Sequence, residues 1–520
     1  MLSIHNDLYD KRYTSGGTMN KRKAGAVVSY VYSITQVMVN LIYVPLLLSG
    51  IGRSEYGLYQ MIGSIIAYLS IINSTFSAGA SRFYSKYYVL GDEDGMANTL
   101  GILKRIYRVS YLIVAVAAVA LMGVLSVIYQ SSLSPWEIQE SCMMLSVLGL
   151  NLMLAMDNTI SISCITAHEE FSFLKLSQLG TLVLQPILVL VLIRWFPFAV
   201  TVTVAQLVCN TACRMLQQSF AKKKLGMDSR LRFLDKDLER QILSFSGTIV
   251  LAMVADQLFW RSGQLILGYF FGTSQVAVYA VGTQVVNSYL PLGVAVSSVF
   301  LPRVSELWHK ERDLQAISEL FIKVSRITLY PLLAVLLGFI VLGKDFIRLW
   351  AGEGYGLAYW VCVLELVPFT VDVAQNIGLT ILQVMDRYGF RAKMYFVAAA
   401  INVALTIWLA QVMGIVGAAV ASGVAMVISS GFVLNWYYQT RIGLDMRNWW
   451  LSVLREITPM VLLCIAGYFA WKPFSGCDWA GLIVGILIWA VAFTLVSFFL
   501  CANDYEKRLV RSTVRKVLHK

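Results

Sequence analysis

Arg261 carries the most chemistry in this sequence, because it stands inside a long apolar stretch with Gln257, Gln264 and Gly268 around it. Counted from Gln257 these positions fall at i, i+4, i+7 and i+11, so a helix puts them on one face and ends the polar stripe in a small residue. An ionisable group in hydrocarbon costs several kcal/mol unless it faces protein or water. A guanidinium placed there can hold phosphate oxygens bidentately. The plain alternative is an arginine neutralised by a structural acid such as Asp157. Arg261 is read as the lone cation inside a span.

Four acids fall in similarly apolar surroundings. Asp256 precedes Arg261 by five residues, which turns it about 140° away on a helix and gives no reason to pair the two. Glu365 and Asp372 are seven apart and share a face, with Pro368 expected to kink the helix between them and Gln375 and Asn376 continuing the polarity. Asp157 has Ser161 and Cys164 on its own face. Carboxylates so placed can carry protons or ligate Na⁺, and they can equally make hydrogen bonds between helices. Arg82 and Arg303 each end an apolar stretch and can collect a phosphate-bearing head group; ordinary charge anchoring explains them as well.

Chemistry that makes or breaks covalent bonds is not legible. The four histidines, His5, His168, His309 and His519, fall in polar segments or at a span end and show no metal or triad spacing. No glycine-rich loop of phosphate-cradling pattern precedes a helix, so ATP hydrolysis is not expected, and no cofactor is implied beyond Na⁺ or H⁺ as a coupling ion.

The elements that must position these residues are membrane spans. Of 520 residues 58% are hydrophobic and 14% charged, against about 25% charged in soluble domains, and the mean hydropathy is +0.67. A span needs roughly 20 apolar residues, and fourteen such runs can be counted. With the N-terminus inside, all but six of the 42 Lys and Arg fall in the inner loops or tails, which is the sorting that holds basic loops in the cytoplasm. Both termini are therefore expected to be cytoplasmic, and the net charge of +12 reports topology rather than a nucleic-acid partner. The inner segment 305–324, with Leu307, Leu314, Ile317, Leu320 and Phe321 at helical spacing, reads as a helix lying along the membrane surface.

An internal repeat organises the spans. The link after the first reads Gly52-Arg-Ser54-Glu-Tyr-Gly-Leu-Tyr59, and the link after the seventh reads Gly272-Thr-Ser274-Gln-Val-Ala-Val-Tyr279, at a constant offset of 220. Both run from an odd span to an even one, as a duplicated half of six spans requires. Repeats of the same orientation imply two lobes related by an axis along the membrane normal, with a site between them. The expected organisation is a cytoplasmic N-terminal segment 1–23, an N-lobe 24–220, a linker 221–243, a C-lobe 244–440, two extra spans in 441–501 and a basic tail 502–520.

The words Met19-Asn-Lys-Arg-Lys-Ala-Gly-Ala-Val-Val-Ser-Tyr-Val-Tyr32, Gly52-Arg-Ser-Glu-Tyr-Gly-Leu-Tyr-Gln60 and Gly414-Ile-Val-Gly-Ala-Ala-Val-Ala421 resemble those of Wzx-type polysaccharide flippases. These belong to the multidrug/oligosaccharidyl-lipid/polysaccharide exporter superfamily. The resemblance covers nearly everything from Met19 onward. It implies an all-α membrane protein of fourteen helices, two six-helix lobes in pseudo-two-fold arrangement like that of multidrug and toxic compound extrusion (MATE) transporters, and two C-terminal helices. It also implies alternating access in a bacterial inner membrane and an undecaprenyl-pyrophosphate-linked oligosaccharide as cargo. Membrane lipids, a polysaccharide polymerase and glycosyltransferases are the implied partners. On this reading Arg261, Gln257, Gln264, Arg82 and Arg303 are substrate-binding candidates, and Asp256, Asp157, Glu365 and Asp372 are ion-coupling candidates. The competing readings are a MATE-type drug exporter, which normally has twelve spans and an acid-dominated cavity, and a multispan polymerase or glycosyltransferase, which generally needs a sizeable outer loop.

Overall fold

Apolar runs of span length leave their peptide groups no partner in hydrocarbon except within the same helix. The computed structural model describes residues 16–233, 235–504 and 506–508, and these are helical nearly throughout. The outermost parts of the expected N-terminal segment and basic tail, 1–15 and 509–520, lie outside the described residues. Among the described residues twelve helices are long and apolar enough to cross a membrane, and a pair bent by 47° makes a thirteenth when counted as one span.

The first helices are α1 (Gly16–Ile51), α2 (Arg53–Leu69), α3 (Ile71–Leu90), α4 (Glu93–Ile128), α5 (Pro135–Ala167), α6 (Phe171–Leu192), α7 (Ala199–Lys223) and α8 (Lys236–Phe271). There follow α9 (Thr273–Tyr289), α10 (Pro291–Ser297), α11 (Leu301–Glu306), α12 (Leu314–Ala351), α13 (Gly356–Ala374), α14 (Ile377–Val384) and α15 (Tyr388–Met413). The chain ends in α16 (Ile415–Ile442), α17 (Met446–Trp471) and α18 (Trp479–Val496). The described residues form two compact units: one runs to Gln257 and takes in Phe271–Ser274, and the other holds Leu258–Phe270 and the residues from Gln275 onward. In the first unit α5 packs on α3, α4 and α7 while α1 lies along α6; Tyr107, Met156 and Cys164 are buried in its core. In the second, α12 packs on α13, α17 and α18, around Phe321, Phe369 and Trp449.

The repeat is written in the helix lengths. α1 and α8 end 220 positions apart, at Ile51 and Phe271, and α2 and α9 both have 17 residues and begin 220 positions apart, at Arg53 and Thr273. Between them stand Gly52 and Gly272 at φ of 84° and 73°, the left-handed region that a side chain on Cβ disfavours. Both second spans then break, and helix resumes at Ile71 and Pro291. The next spans start alike, with Asp92 accepting from the Gly95 N–H and Asp313 from the Ala316 N–H, each satisfying an amide that the helix cannot.

The helix breaks account for the difference from fourteen spans. The expected eighth span, 276–301, is divided into α9, α10 and a short turn before α11, and its longest piece is 17 residues. Pro291, which lacks an N–H, opens the second piece. The break in 355–383 comes not at Pro368, which stays within α13, but after Ala374. Segment 305–324 is not a surface helix either. Arg312 takes φ of 52°, Asp313 caps a new helix, and Ile317, Phe321 and Val324 are buried in the second unit's core. The apolar face expected to lie on lipid therefore meets protein.

Candidate functional site

α8 is built as the sequence requires: its window of span length has a hydropathy of 1.7, and Gln257, Arg261, Gln264 and Gly268 lie along one face. Gln264 and Gly268 are buried, and Gln257 and Arg261 are half-buried. Asp256 accepts a hydrogen bond from Gln257 Nε2 at 3.1 Å.

The acids take separate partners. Glu365 is buried and its Oε1 accepts from the Tyr279 hydroxyl at 3.0 Å. Asp372, one face with Glu365 by spacing, accepts instead from Ser430 Oγ at 2.6 Å. Asp157 is ion-paired with Arg214 from α7, both side chains being about four-fifths buried.

Arg214 corrects the reading of Arg261 as the lone cation inside a span. It lies within α7, nine positions before the helix ends at Lys223, and Arg326 lies within α12. Both stand near basic inner segments and were counted with them. A signal was nonetheless available: Asn210, Arg214 and Gln217 repeat the i, i+4, i+7 spacing of Gln257, Arg261 and Gln264.

The two inner-end arginines differ in company. Arg82 joins Lys86 and Arg240 around a groove of about 870 Å³ that also holds Asp237, and its guanidinium lies 4.5 Å from the Phe245 ring centre. Arg303 donates from Nη1 to Glu306 at 2.9 Å and to Glu311 at 2.8 Å. The Arg303 hydrogen bond holds the Glu306 carboxyl below its ordinary range. Arg82 thus faces a groove with cationic neighbours, whereas Arg303 sits between two carboxylates.

Two further cavities lie within the units. In the first unit α1, α5, α6 and α7 surround about 380 Å³ with six amides and Arg214 in its wall. In the second, α12, α17 and α18 form an apolar groove of about 700 Å³ between Trp471 and Trp489. Among the described residues no three His, Cys, Asp or Glu side chains are grouped closely enough to hold a metal ion.

This arrangement has known relatives. The model of a family described as "Polysaccharide biosynthesis protein" matches residues 51–358. A curated relative, the probable low-salt glycan biosynthesis flippase Agl15 of Haloferax volcanii, is 23% identical over 270 residues, 50% of this chain and 54% of that protein. The chain thus spans about half the length of that relative, and less of a second one. Among solved structures, the lipid II flippase MurJ in an inward closed conformation superposes with a TM-score of 0.70 at 12% identity, covering 91% of this chain and 97% of MurJ. An inward-facing MATE-family multidrug transporter of the MOP superfamily gives 0.63 at 14% identity, covering 80% and 98%. At these identities the likeness is one of fold.

Proposed function

The chain belongs to the polysaccharide biosynthesis protein family whose model its residues 51–358 match, and from that premise we propose that it flips a lipid-linked oligosaccharide across a membrane. The cargo is an undecaprenyl-pyrophosphate-linked oligosaccharide, moved by alternating access from the cytoplasmic to the outer leaflet of a bacterial inner membrane. The chain acts as a transporter rather than an enzyme, with both termini cytoplasmic. It hands its cargo to a polymerase and receives it from glycosyltransferases. Na⁺ or H⁺ drives the cycle through one or more of Asp256, Asp157, Glu365 and Asp372.

The observation that carries the reading is the α8 stripe, in which Arg261 stands between Gln257 and Gln264 on one face of a span that also carries Asp256. A diphosphate offers the paired oxygens that a planar guanidinium holds with two hydrogen bonds. Support also comes from the apolar groove of α12, α17 and α18, whose walls suit a polyprenyl chain, and from Arg82 in its basic groove at the inner end. In a strain lacking the gene, the lipid-linked sugar accumulates on the cytoplasmic side, and the wild-type gene clears it. Arg261→Ala fails to clear it, and Arg261→Lys clears it poorly because an ammonium lacks the fork. Clearance by both variants at the wild-type rate refutes the role of Arg261.

The likeness to a MATE transporter favours a second reading, export of organic cations. It predicts that deletion sensitises cells to cationic dyes and leaves the lipid-linked sugar pool unchanged.

A further inference from the structure

The cavity of the first unit bounded by α1, α5, α6 and α7 has a wall rich in amides. Six of its lining residues are amides, two from each of three spans: Asn151 and Asn158 on α5, Gln178 and Gln185 on α6, and Asn210 and Gln217 on α7. Inside hydrocarbon such a wall is costly unless it meets its own kind, water or a polar ligand. Part of it is matched internally. Asn210 Nδ2 donates to Asn151 Oδ1 at 3.2 Å, Asn158 Nδ2 to Gln217 Oε1 at 2.8 Å, and Gln217 Nε2 to Ser177 Oγ at 2.8 Å. Part is not, since Asn158 Oδ1 and Arg214 Nε are buried without a hydrogen-bond partner among the described residues.

Charge narrows the occupant. The single formal charge in the lining is Arg214, and Asp157 neutralises it; Lys175 stands beside the wall, its Nζ donating to Gln178 Oε1 at 3.1 Å and lying 4.7 Å from the Tyr32 ring centre. An organic cation needs an uncompensated acid, and this wall offers none. A neutral polyhydroxyl compound fits it, because each amide offers a donor and an acceptor side by side and each hydroxyl can serve both. Tyr32 of α1 adds an aromatic ring, against which the C–H face of a sugar packs. The volume, about 380 Å³, lies within the roughly 300–1,000 Å³ of small-molecule pockets and suits a mono- or disaccharide.

We propose that this cavity is a carbohydrate subsite holding an uncharged sugar ring of the cargo by its hydroxyls, separately from whatever holds the phosphates. The proposal rests on the flippase reading and adds to it a second point of recognition, within the first unit and specific for the glycan.

The test uses the full-length protein in lipid nanodiscs and titration calorimetry. The probe is the oligosaccharide released by mild acid from the lipid-linked pool of the deletion strain. Wild-type protein binds it, and Gln185→Leu raises Kd about tenfold, the equivalent of roughly one lost hydrogen bond. Thr181→Trp fills the cavity from its α6 wall and abolishes binding, and its unchanged thermal midpoint shows that the protein is folded. Inorganic pyrophosphate and rhodamine 6G do not compete. Binding that both variants leave intact, or competition by either probe, overturns the subsite. The flippase reading has its own readout, accumulation of the lipid-linked sugar on deletion, so it can stand when the subsite falls.

Discussion

Arg326 offers the sharpest quantitative test, because one guanidinium there serves two carboxylates out of reach of water. Its Nη2 lies 2.7 Å from Glu456 Oε1 on α17, and its Nε lies 2.9 Å from Glu506 Oε1 beyond α18; the side chains are 11%, 1% and 7% exposed. Tyr330 and the Asn503 N–H also donate to Glu506 Oε2, at 3.0 and 2.8 Å. Arg326→Met strands both acids, and removing one partner of a buried pair costs about 3–5 kcal/mol. With exposures this low the solvent discount is small. Glu456→Gln has the opposite logic: it removes the excess negative charge while Arg326 keeps Glu506, so its cost stays within about 1 kcal/mol. At 2–4 °C per kcal/mol for a body of about 150–250 residues, Arg326→Met lowers the melting midpoint by roughly 6–20 °C and Glu456→Gln by less than about 4 °C. The assay is thermal unfolding of detergent-purified protein followed by tryptophan fluorescence. Equal damage from the two variants refutes the reasoning, since it would make the Arg326–Glu456 attraction, not the uncompensated charge, the larger quantity. Acid gives a second handle. Burial pushes the Glu506 carboxyl up, but the Arg326 hydrogen bond and the Asn503 N–H take it below its ordinary value of 4.5. A lowered carboxyl contributes stability that is whole above that ordinary value and is lost as the pH falls through the lowered one. Arg326→Met therefore flattens the melting midpoint below pH 4.5.

Two other perturbations follow from packing and pairing. Asp157→Asn and Arg214→Gln each cost about 2 kcal/mol, less than a fully buried pair because about a fifth of each side chain is exposed. The double variant recovers part of the loss, with a coupling of roughly 0.5–3 kcal/mol in a double-mutant cycle; strict additivity means the two do not support each other. At Gly417 of α16 an added Cβ would lie 2.1 Å from the Leu409 carbonyl oxygen, which is backbone and cannot rotate away. Gly417→Val therefore destabilises by about 1–3 kcal/mol, whereas Gly180→Ala on α6, with nothing within 4 Å, is neutral or stabilising by up to about 1 kcal/mol. The two melting midpoints check the contrast.

Periodicity along the chain revealed what is local. The turn at Gly52 and its echo at Gly272 marked a duplication that the helices reproduce, with a 17-residue helix following each glycine at the same offset. Spacing also fixed faces, which is why the α8 stripe could be drawn before any coordinates. It could not supply partners. Asp157 meets Arg214 across 57 positions and Arg326 meets Glu506 across 180, and no local pattern encodes which of several helices packs alongside. The same limit explains Arg82 and Arg303, alike in position yet different in company, because the carboxylates around Arg303 come from the end of α11, Glu306, and from the Leu307–Glu311 segment after it, Glu311, where a helix on a membrane surface was expected. The break at 289–291 was hidden for another reason: the residues on both sides are apolar, so composition alone continued the span.

The recurrence of one polar spacing on consecutive spans carries the argument furthest. Asn210, Arg214 and Gln217 on α7 and Gln257, Arg261 and Gln264 on α8 put a guanidinium between two amides at i, i+4 and i+7, an arrangement that extends a single charge into a polar strip and so lowers the cost of holding it in a span. On α7 the charge is met by Asp157, and what the strip presents to its cavity is amide. On α8 Asp256, five residues before Arg261, accepts a hydrogen bond from Gln257. On α7 the match between Arg214 and Asp157 is what leaves the cavity neutral. Removing the acid tests this. Asp157→Asn gives α7 an uncompensated guanidinium, so the cavity should gain affinity for inorganic pyrophosphate while losing affinity for the released oligosaccharide. If both affinities stay as they were, the Asp157 charge does not decide what the cavity holds, and the assignment of the α7 strip to sugar fails.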